Sequence, residues 1–201
     1  MHTPVSVARR WPRRSRISSV IAASLLASVF AFGASGAQPA PAAASTAPWY
    51  AVETYYLKLV NCTRTGGWVR ADGSCAGYGS GRYSAYVPPL RLGSGLSAVS
   101  RSWAKHLAVV NGCFHGDPGL RLRKAGFNGW SWGENIGCGW GTTTKDVYAA
   151  VLASHRAMQA EKSSNGGHWK NLKNPRYNRI GIGVWKYNSR VRVVTDFYHA
   201  G

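Results

Sequence analysis

The sequence predicts an α+β domain in which helices cover a small antiparallel sheet. Three observations carry this expectation. Segments with apolar residues at helical spacing come first, two segments of period-two alternation come last, and no internal repeat interrupts that order. The four cysteines, Cys62, Cys75, Cys113 and Cys138, all fall in the same stretch as these segments.

The chain of 201 residues opens with features that set its first part aside from the fold. "ARRWPRRSR" is a basic region without an acid, "ISSVIAASLLASVFAFGA" is an apolar run, and "SGAQ" offers small residues for cleavage after Ala37. Residues 1–37 therefore read as a secretory signal peptide. The apolar run ends in small residues rather than a basic flank, so no membrane span is expected in the mature chain. Residues 38–48, "QPAPAAASTAP", read as a Pro/Ala-rich linker too poor in large apolar side chains to join a core. Residues 49–201 are then long enough for one packed domain.

Within that domain, "WYAVETYYLKLVNCTR" places Val52, Tyr55, Tyr56, Leu59 and Val60 near helical spacing and predicts a helix ending near Gly66. "GGWVRADGSCAGYGSGRYSAYVPP" reads as a Gly- and aromatic-rich loop. "SGLSAVSRSWAKHLAVV" predicts a second helix with Ser94 as its N-cap and a stripe of Leu96, Val99, Trp103, Leu107 and Val110. "LRLRKAGF" fits a short helix stopped by Gly126, and "WSWGENIGCGW" has too many glycines for a helix and fits an extended segment. "TTTKDVYAAVLASHRAMQAE" predicts a helix capped by threonine and buried through Val147, Val151, Leu152 and Met158. "SSNGGHWKNLKNPRYN" reads as a loop. "RIGIGVWKY" and "RVRVVTDFYHA", joined by Asn188-Ser189, read as a hairpin.

Lys and Arg outnumber Asp and Glu by 25 to 7. Arg9, Arg10, Arg13, Arg14 and Arg16 would leave with the signal peptide, which takes the net charge from +18 to about +13. Such a chain is drawn to anionic cell-wall polymers or lipid headgroups. The basic residues are scattered, no nucleic-acid recognition motif is present, and an exported chain has no nucleic acid to meet, so that partner is set aside. The expected state is a monomer outside the cell, with an anionic wall as one surface to which it would adhere.

The chemistry centres on Glu134, a carboxylate set among tryptophans, glycines and a cysteine, where it needs a partner. His106 and His155 sit on predicted helices and read as structural, His155 as a cation near a helix C-terminus. His199 lies near the end of the chain and reads as solvated. His115 in "CFHGDPG" and His168 in "NGGHWKN" each lie in a Gly-bearing loop beside an aromatic ring, where binding sites tend to form. An even cysteine count in an exported chain suggests two disulfides with three possible connectivities. The local scheme, Cys62–Cys75 with Cys113–Cys138, is preferred over Cys62–Cys113 with Cys75–Cys138, because it also staples the Gly-rich loop. A Cys113–Cys138 bridge would bring His115 and Glu134 within reach of one hydrogen bond. C-x-x-C is absent, which argues against zinc ribbons and thioredoxin-like redox sites. Asn135 is expected to bind loop backbone, and the tryptophans Trp130, Trp132, Trp140 and Trp169 read as core residues before cleft residues.

"CFH", "GENIG" and "GGHWKNLKNPRYNRIGIGV", in this order, resemble the signature set of the CAP superfamily, which groups cysteine-rich secretory, antigen 5 and pathogenesis-related proteins with bacterial secreted proteins. The resemblance runs from about Tyr50 to Phe197. It implies an α–β–α sandwich with a central cleft lined by His115, His168 and Glu134, with Asn135 beside them. It implies that His115 and His168, with Glu134 as a further ligand, can bind a divalent cation such as zinc. Many members carry a second glutamate on the helix before the last histidine; here Val151 and Ser154 occupy that "W-Y-x-E" context, and Glu161 lies beyond it. The expected function is a secreted binding protein for an extracellular lipid, glycan or protein. The alternatives are a metal-dependent hydrolase of cell-wall peptide or glycan and a wall-associated protein that acts by charge. No G-x-S-x-G nucleophile motif is present, and no catalytic residue is assigned.

Overall fold

A computed structural model describes residues 47–201; residues 1–37 and all of the linker before Ala47 lie outside the described residues. The elements in order are α1 (Tyr50–Arg64), β1 (Trp68–Val69), β2 (Cys75–Ala76), β3 (Arg91–Leu92), α2 (Leu96–Val110), α3 (Pro118–Lys124), β4 (Trp132–Trp140), α4 (Thr144–Ala160), a 3-10 turn at Glu161–Ser164, α5 (Gly167–Lys173), β5 (Arg179–Tyr187) and β6 (Arg190–Tyr198). β1 and β2 form a small ribbon, and the main sheet has the order β3-β5-β6-β4. β5–β6 and β6–β4 are antiparallel, but β3 joins β5 in parallel, so the sheet is mixed rather than purely antiparallel. Among the described residues, no helix is long and apolar enough to cross a membrane.

Period-two alternation decides which helix lies on which face. Ile180, Ile182 and Val184 of β5 and Val191, Val193 and Phe197 of β6 bury themselves against Val52, Tyr56 and Val60 of α1 and Val147 and Val151 of α4. The opposite face of β5 carries Gly181 and Gly183, and α2 lies directly on them. A Cβ on Gly181 would sit 2.6 Å from the Leu96 carbonyl, and one on Gly183 would overlap the backbone at Ser100 and Arg101. β4 is built the other way round. Its Gly137 and Gly139 face α4, and a Cβ on Gly139 would come to 2.8 Å from that of Ala150. Gly137 and Gly139 are thus the places where α4 approaches the sheet, and the molecule is an α–β–α sandwich with α1, α4 and α5 on one side and α2 and α3 on the other.

Several local expectations change. The N-cap of α2 is Gly95, at φ 76°, with no side-chain cap hydrogen bond, rather than Ser94. In the α2 stripe Leu96 and Leu107 are buried, but Val110 is exposed in the last turn. α3 begins at Pro118, capped by Asp117, whose carboxylate accepts from the Leu120 amide at 2.8 Å. α4 has the expected threonine start as a full capping box between Thr143 and Asp146. The segment after α4, read as a loop, folds into the 3-10 turn and α5, because burying Trp169 and Leu172 stabilises seven residues that propensity alone would not hold.

The Gly-rich loop is tied down by Arg64, which is fully buried and donates to the carbonyls of Pro88, Leu172, Asn174 and Tyr177. Burial pulls its guanidinium down to about 10. His155, expected as a cation near a helix end, is instead fully buried under Tyr56, and desolvation drives it down to about 3. Thr63 donates its hydroxyl proton to Gln159 at 2.9 Å, so His155 Nε2 at 2.8 Å must donate to Thr63. Both disulfides follow the local scheme, with Cα separations of 5.9 Å for Cys62–Cys75 and 6.1 Å for Cys113–Cys138.

Candidate binding cleft

Glu134 and Asn135 are neighbours on β4 and therefore point to opposite faces of the sheet. Glu134, with Ile136 and Cys138, faces α2 and α3. Asn135, with Gly137 and Gly139, faces α4 and α5. Because β4 is an edge strand, groups on both faces can meet around its open side.

On the first face, the Cys113–Cys138 bridge holds the segment after α2 against β4. His115 Nδ1 lies 2.8 Å from Glu134 Oε1. The other carboxylate oxygen accepts from Arg121 Nη2, and Arg121 Nη1 donates to the His115 carbonyl at 2.8 Å. Arg121 also lies over the Trp103 ring, 4.1 Å from its centroid, so a cation–π contact and an ion pair fix one guanidinium. Burial raises the Glu134 carboxyl above its usual range, against the pull of Arg121 and His115. Glu134 therefore has two partners, and the second was not foreseen: Arg121 sat in a segment read only as a short helix.

On the second face, His168 is in the first turn of α5, not in a loop. Glu161 holds it twice, accepting from the His168 amide at 3.0 Å and meeting Nδ1 at 2.5 Å. Burial opposes ionisation of Glu161, but hydrogen bonding and charge from His168 outweigh it and keep the carboxyl below its usual range. Asn135 Nδ2 donates to the His168 carbonyl at 3.1 Å, and Asn171 Nδ2 donates to Asn135 Oδ1 at 2.8 Å and to the Glu134 carbonyl at 3.1 Å. Asn135 thus binds backbone, as expected. Glu161 is the carboxylate that sequence reasoning set aside; the signal was its place seven residues before His168, with Gly166 and Gly167 allowing the chain to fold back.

Each imidazole therefore has its own carboxylate at Nδ1. With an ionised carboxylate accepting there, Nδ1 carries the proton, and in the neutral imidazole Nε2 is left with its lone pair. The His115 side chain is 53% exposed and that of His168 34%. Both oxygens of Glu134 are taken, so Glu134 does not fit the role of a metal ligand. Among the described residues, no three His, Cys, Asp or Glu side chains are grouped to hold one ion. A three-ligand zinc site on His115, His168 and Glu134 does not fit this arrangement.

A cavity of about 250 Å³ lies along the open side of β4, between Cys113 and Cys138 on one wall and Ser154, Met158, Glu161 and His168 on the other. A second, of about 480 Å³, continues from Cys138 past Trp140 along α4. Trp169 is buried, but Trp130, Trp132 and Trp140 are exposed, against the expectation of core roles. Trp130 is covered on one side by Arg176, 5.7 Å from its centroid.

No protein-family model matches the chain, and no curated protein matches it in sequence. Solved structures match its fold. An extracellular protein containing an SCP domain from Bacillus anthracis str. Ames is 19% identical with a TM-score of 0.50, over 75% of this chain and 41% of that one. NaASP2, solved with Zn2+, is 15% identical with a TM-score of 0.51, over 80% of this chain and 90% of that one. The chain thus spans less than half of the Bacillus protein. At these identities the likeness establishes the fold: an SCP, or CAP, domain fold.

Proposed function

We propose that this chain, with its SCP-domain fold, belongs to the CAP superfamily and acts as an exported binding protein. Its cleft engages an extracellular lipid, glycan or protein. The observation that carries this reading is the pair of histidine–carboxylate dyads, His115–Glu134 and His168–Glu161, on the two sides of one edge strand. Each carboxylate orients its imidazole and leaves Nε2 to meet a ligand. Asn135, Asn171 and the Cys113–Cys138 bridge hold the two dyads in place. A built-in nucleophile is not part of the reading, since the cysteines are oxidised and both dyad carboxylates are engaged in orienting their histidines.

The basic and apolar leader and the two disulfides, which persist in oxidising surroundings, support the reading of an exported chain. The excess of Lys and Arg would concentrate the protein on an anionic wall or lipid surface, and that attraction weakens with salt. A divalent cation remains part of the proposal only through the two Nε2 atoms, and no step is assigned to it.

The test uses the full mature protein and the variants His115→Ala and His168→Ala. Binding to isolated walls, lipid vesicles and glycan fragments is measured at low and high salt, and metal content is measured on protein prepared without chelator. Salt-resistant binding that either alanine weakens at least tenfold supports the cleft. Binding that vanishes in salt and ignores both histidines leaves only a charged surface. Stoichiometric zinc lost in each variant would restore the metal site that the geometry disfavours.

A further inference from the structure

We propose that the occupant of this cleft is an extended, acidic peptide that adds to the sheet along the open edge of β4, from Ile136 to Trp140. This rests on the reading of the cleft as a ligand site and names its ligand class.

The register of β4 shows which backbone groups are free. Asn135 lies opposite Thr195, whose hydroxyl donates to the Asn135 carbonyl at 3.1 Å, and Arg192 Nη1 reaches the Gly139 carbonyl at 3.3 Å. Odd-numbered residues of β4 thus turn their backbone groups toward β6. Even-numbered residues turn theirs outward. Two outward carbonyls are already capped by side chains: Tyr177 donates its hydroxyl to Trp132 at 2.9 Å, and Asn171 donates to Glu134 at 3.1 Å. The row continues through Ile136, Cys138 and Trp140, with β6 as the only strand paired to β4 among the described residues. The chain therefore closes half of this edge and leaves the other half available for strand addition.

The open half borders on both cavities rather than flat solvent. One wall is α4, which turns Ala149, Ala153 and Ala157 toward the space, so a backbone with small side chains fits between the helix and the edge. Trp140, 63% exposed, stands at the far end with Arg192 5.9 Å from its ring centroid, and His168 with Glu161 stands at the near end.

Charge selects an acidic occupant. Lys145 and Arg156 are exposed on α4, and Arg156 follows Ala149 by seven residues, on the same helical face. The acids of this wall, Asp146 and Glu161, stay ionised but are outnumbered, because Arg190, opposite Trp140 in the register, and Arg192, beside the Trp140 ring, add two cations at the far end.

The probe is a fluorescein-labelled decapeptide of alternating Ala and Glu, measured by fluorescence anisotropy with the full mature chain and by amide hydrogen exchange. Saturable binding with new protection of the Ile136, Cys138 and Trp140 amides is expected. Ala153→Glu, on an exposed helix face, should weaken binding at least tenfold with an unchanged melting temperature, and Ala153→Gln should restore most of it. The proposal is overturned if the peptide does not bind, if those amides gain no protection, or if Ala153→Glu leaves affinity unchanged. His168→Ala, run in parallel, separates the two readings. Edge protection that persists in this variant keeps the strand addition and removes the dyad from binding. A glycan or vesicle that binds through His168 while the peptide does not keeps the dyads and removes the strand addition.

Discussion

Glu134 on β4 and Asp196 on β6 are directly opposed in the sheet, with both side chains on the face toward α2. A cross-strand pair of this kind sets two carboxyl groups on neighbouring Cβ atoms about 5 Å apart. They avoid carrying two equal charges by dividing the surroundings. Arg121 serves Glu134, while Asp196 receives the Ser100 hydroxyl at 2.6 Å and is otherwise enclosed. Burial, with the nearby Glu134 adding to it, pushes Asp196 up to about 7.

The pH dependence follows from that shift. Between about pH 4 and 7 the folded protein keeps a proton on Asp196 that the unfolded chain has lost, so this group's contribution falls as pH rises through that window and is flat above it. His155 acts in the opposite sense. Its contribution is full above about 6.5 and is lost as pH falls toward 3, because only the unfolded chain takes up the proton. Asp196→Asn should therefore gain stability relative to the parent as pH is raised from 4 to 7. Urea unfolding at a series of pH values reads the difference directly, and a constant difference would contradict the assignment.

Arg121→Met should be costly because it strands a carboxylate whose side chain is 1% exposed. Loss of one partner from such a pair costs about 3 kcal/mol. Adding Glu134→Gln should recover a large part of it, so the double variant loses less than the sum of the singles. Additive losses would mean that the pair contributes little.

Replacing Cys113 and Cys138 together with alanine opens a loop spanning 25 positions. The expected loss is about 3 kcal/mol on the chain-entropy model. The same change frees the His115 segment from β4, so any ligand that depends on His115 should bind more weakly even where the variant remains folded. Thermal unfolding and binding at a temperature well below the transition separate the two effects.

Gly183→Ala should destabilise by at least the 1–3 kcal/mol typical of overpacking. The added methyl meets the backbone of α2 rather than a movable side chain. Gly167→Ala is the control, since nothing lies within 4 Å of a Cβ there, and it should fall within about 0.5 kcal/mol of the parent. Equal behaviour of the two in urea unfolding would show that α2 can shift off the sheet.

Much of the domain could be read from residue order because its determinants are local. Alternation in "RIGIGVWKY" and "RVRVVTDFYHA" is a property of successive residues, and it produced the hairpin with the expected Asn188-Ser189 turn. The Thr143 cap and disulfides closing 13 and 25 positions are likewise short-range. The His115–Glu134 contact was legible for the same reason, since one bridge sets both residues. The short helix that carries His168 was not, because its stability comes from burying Trp169 and Leu172 against other elements.

Residue spacing therefore accounts for the helices, the strands, the staples and one half of the cleft. It could not say that Arg121 would neutralise Glu134, that Glu161 would claim His168, that Asp196 would stand opposite Glu134, or that His155 would be sealed from water. Charge pairing and desolvation depend on which faces meet in space, and those meetings exist only once α2, α3 and α4 have packed on the sheet.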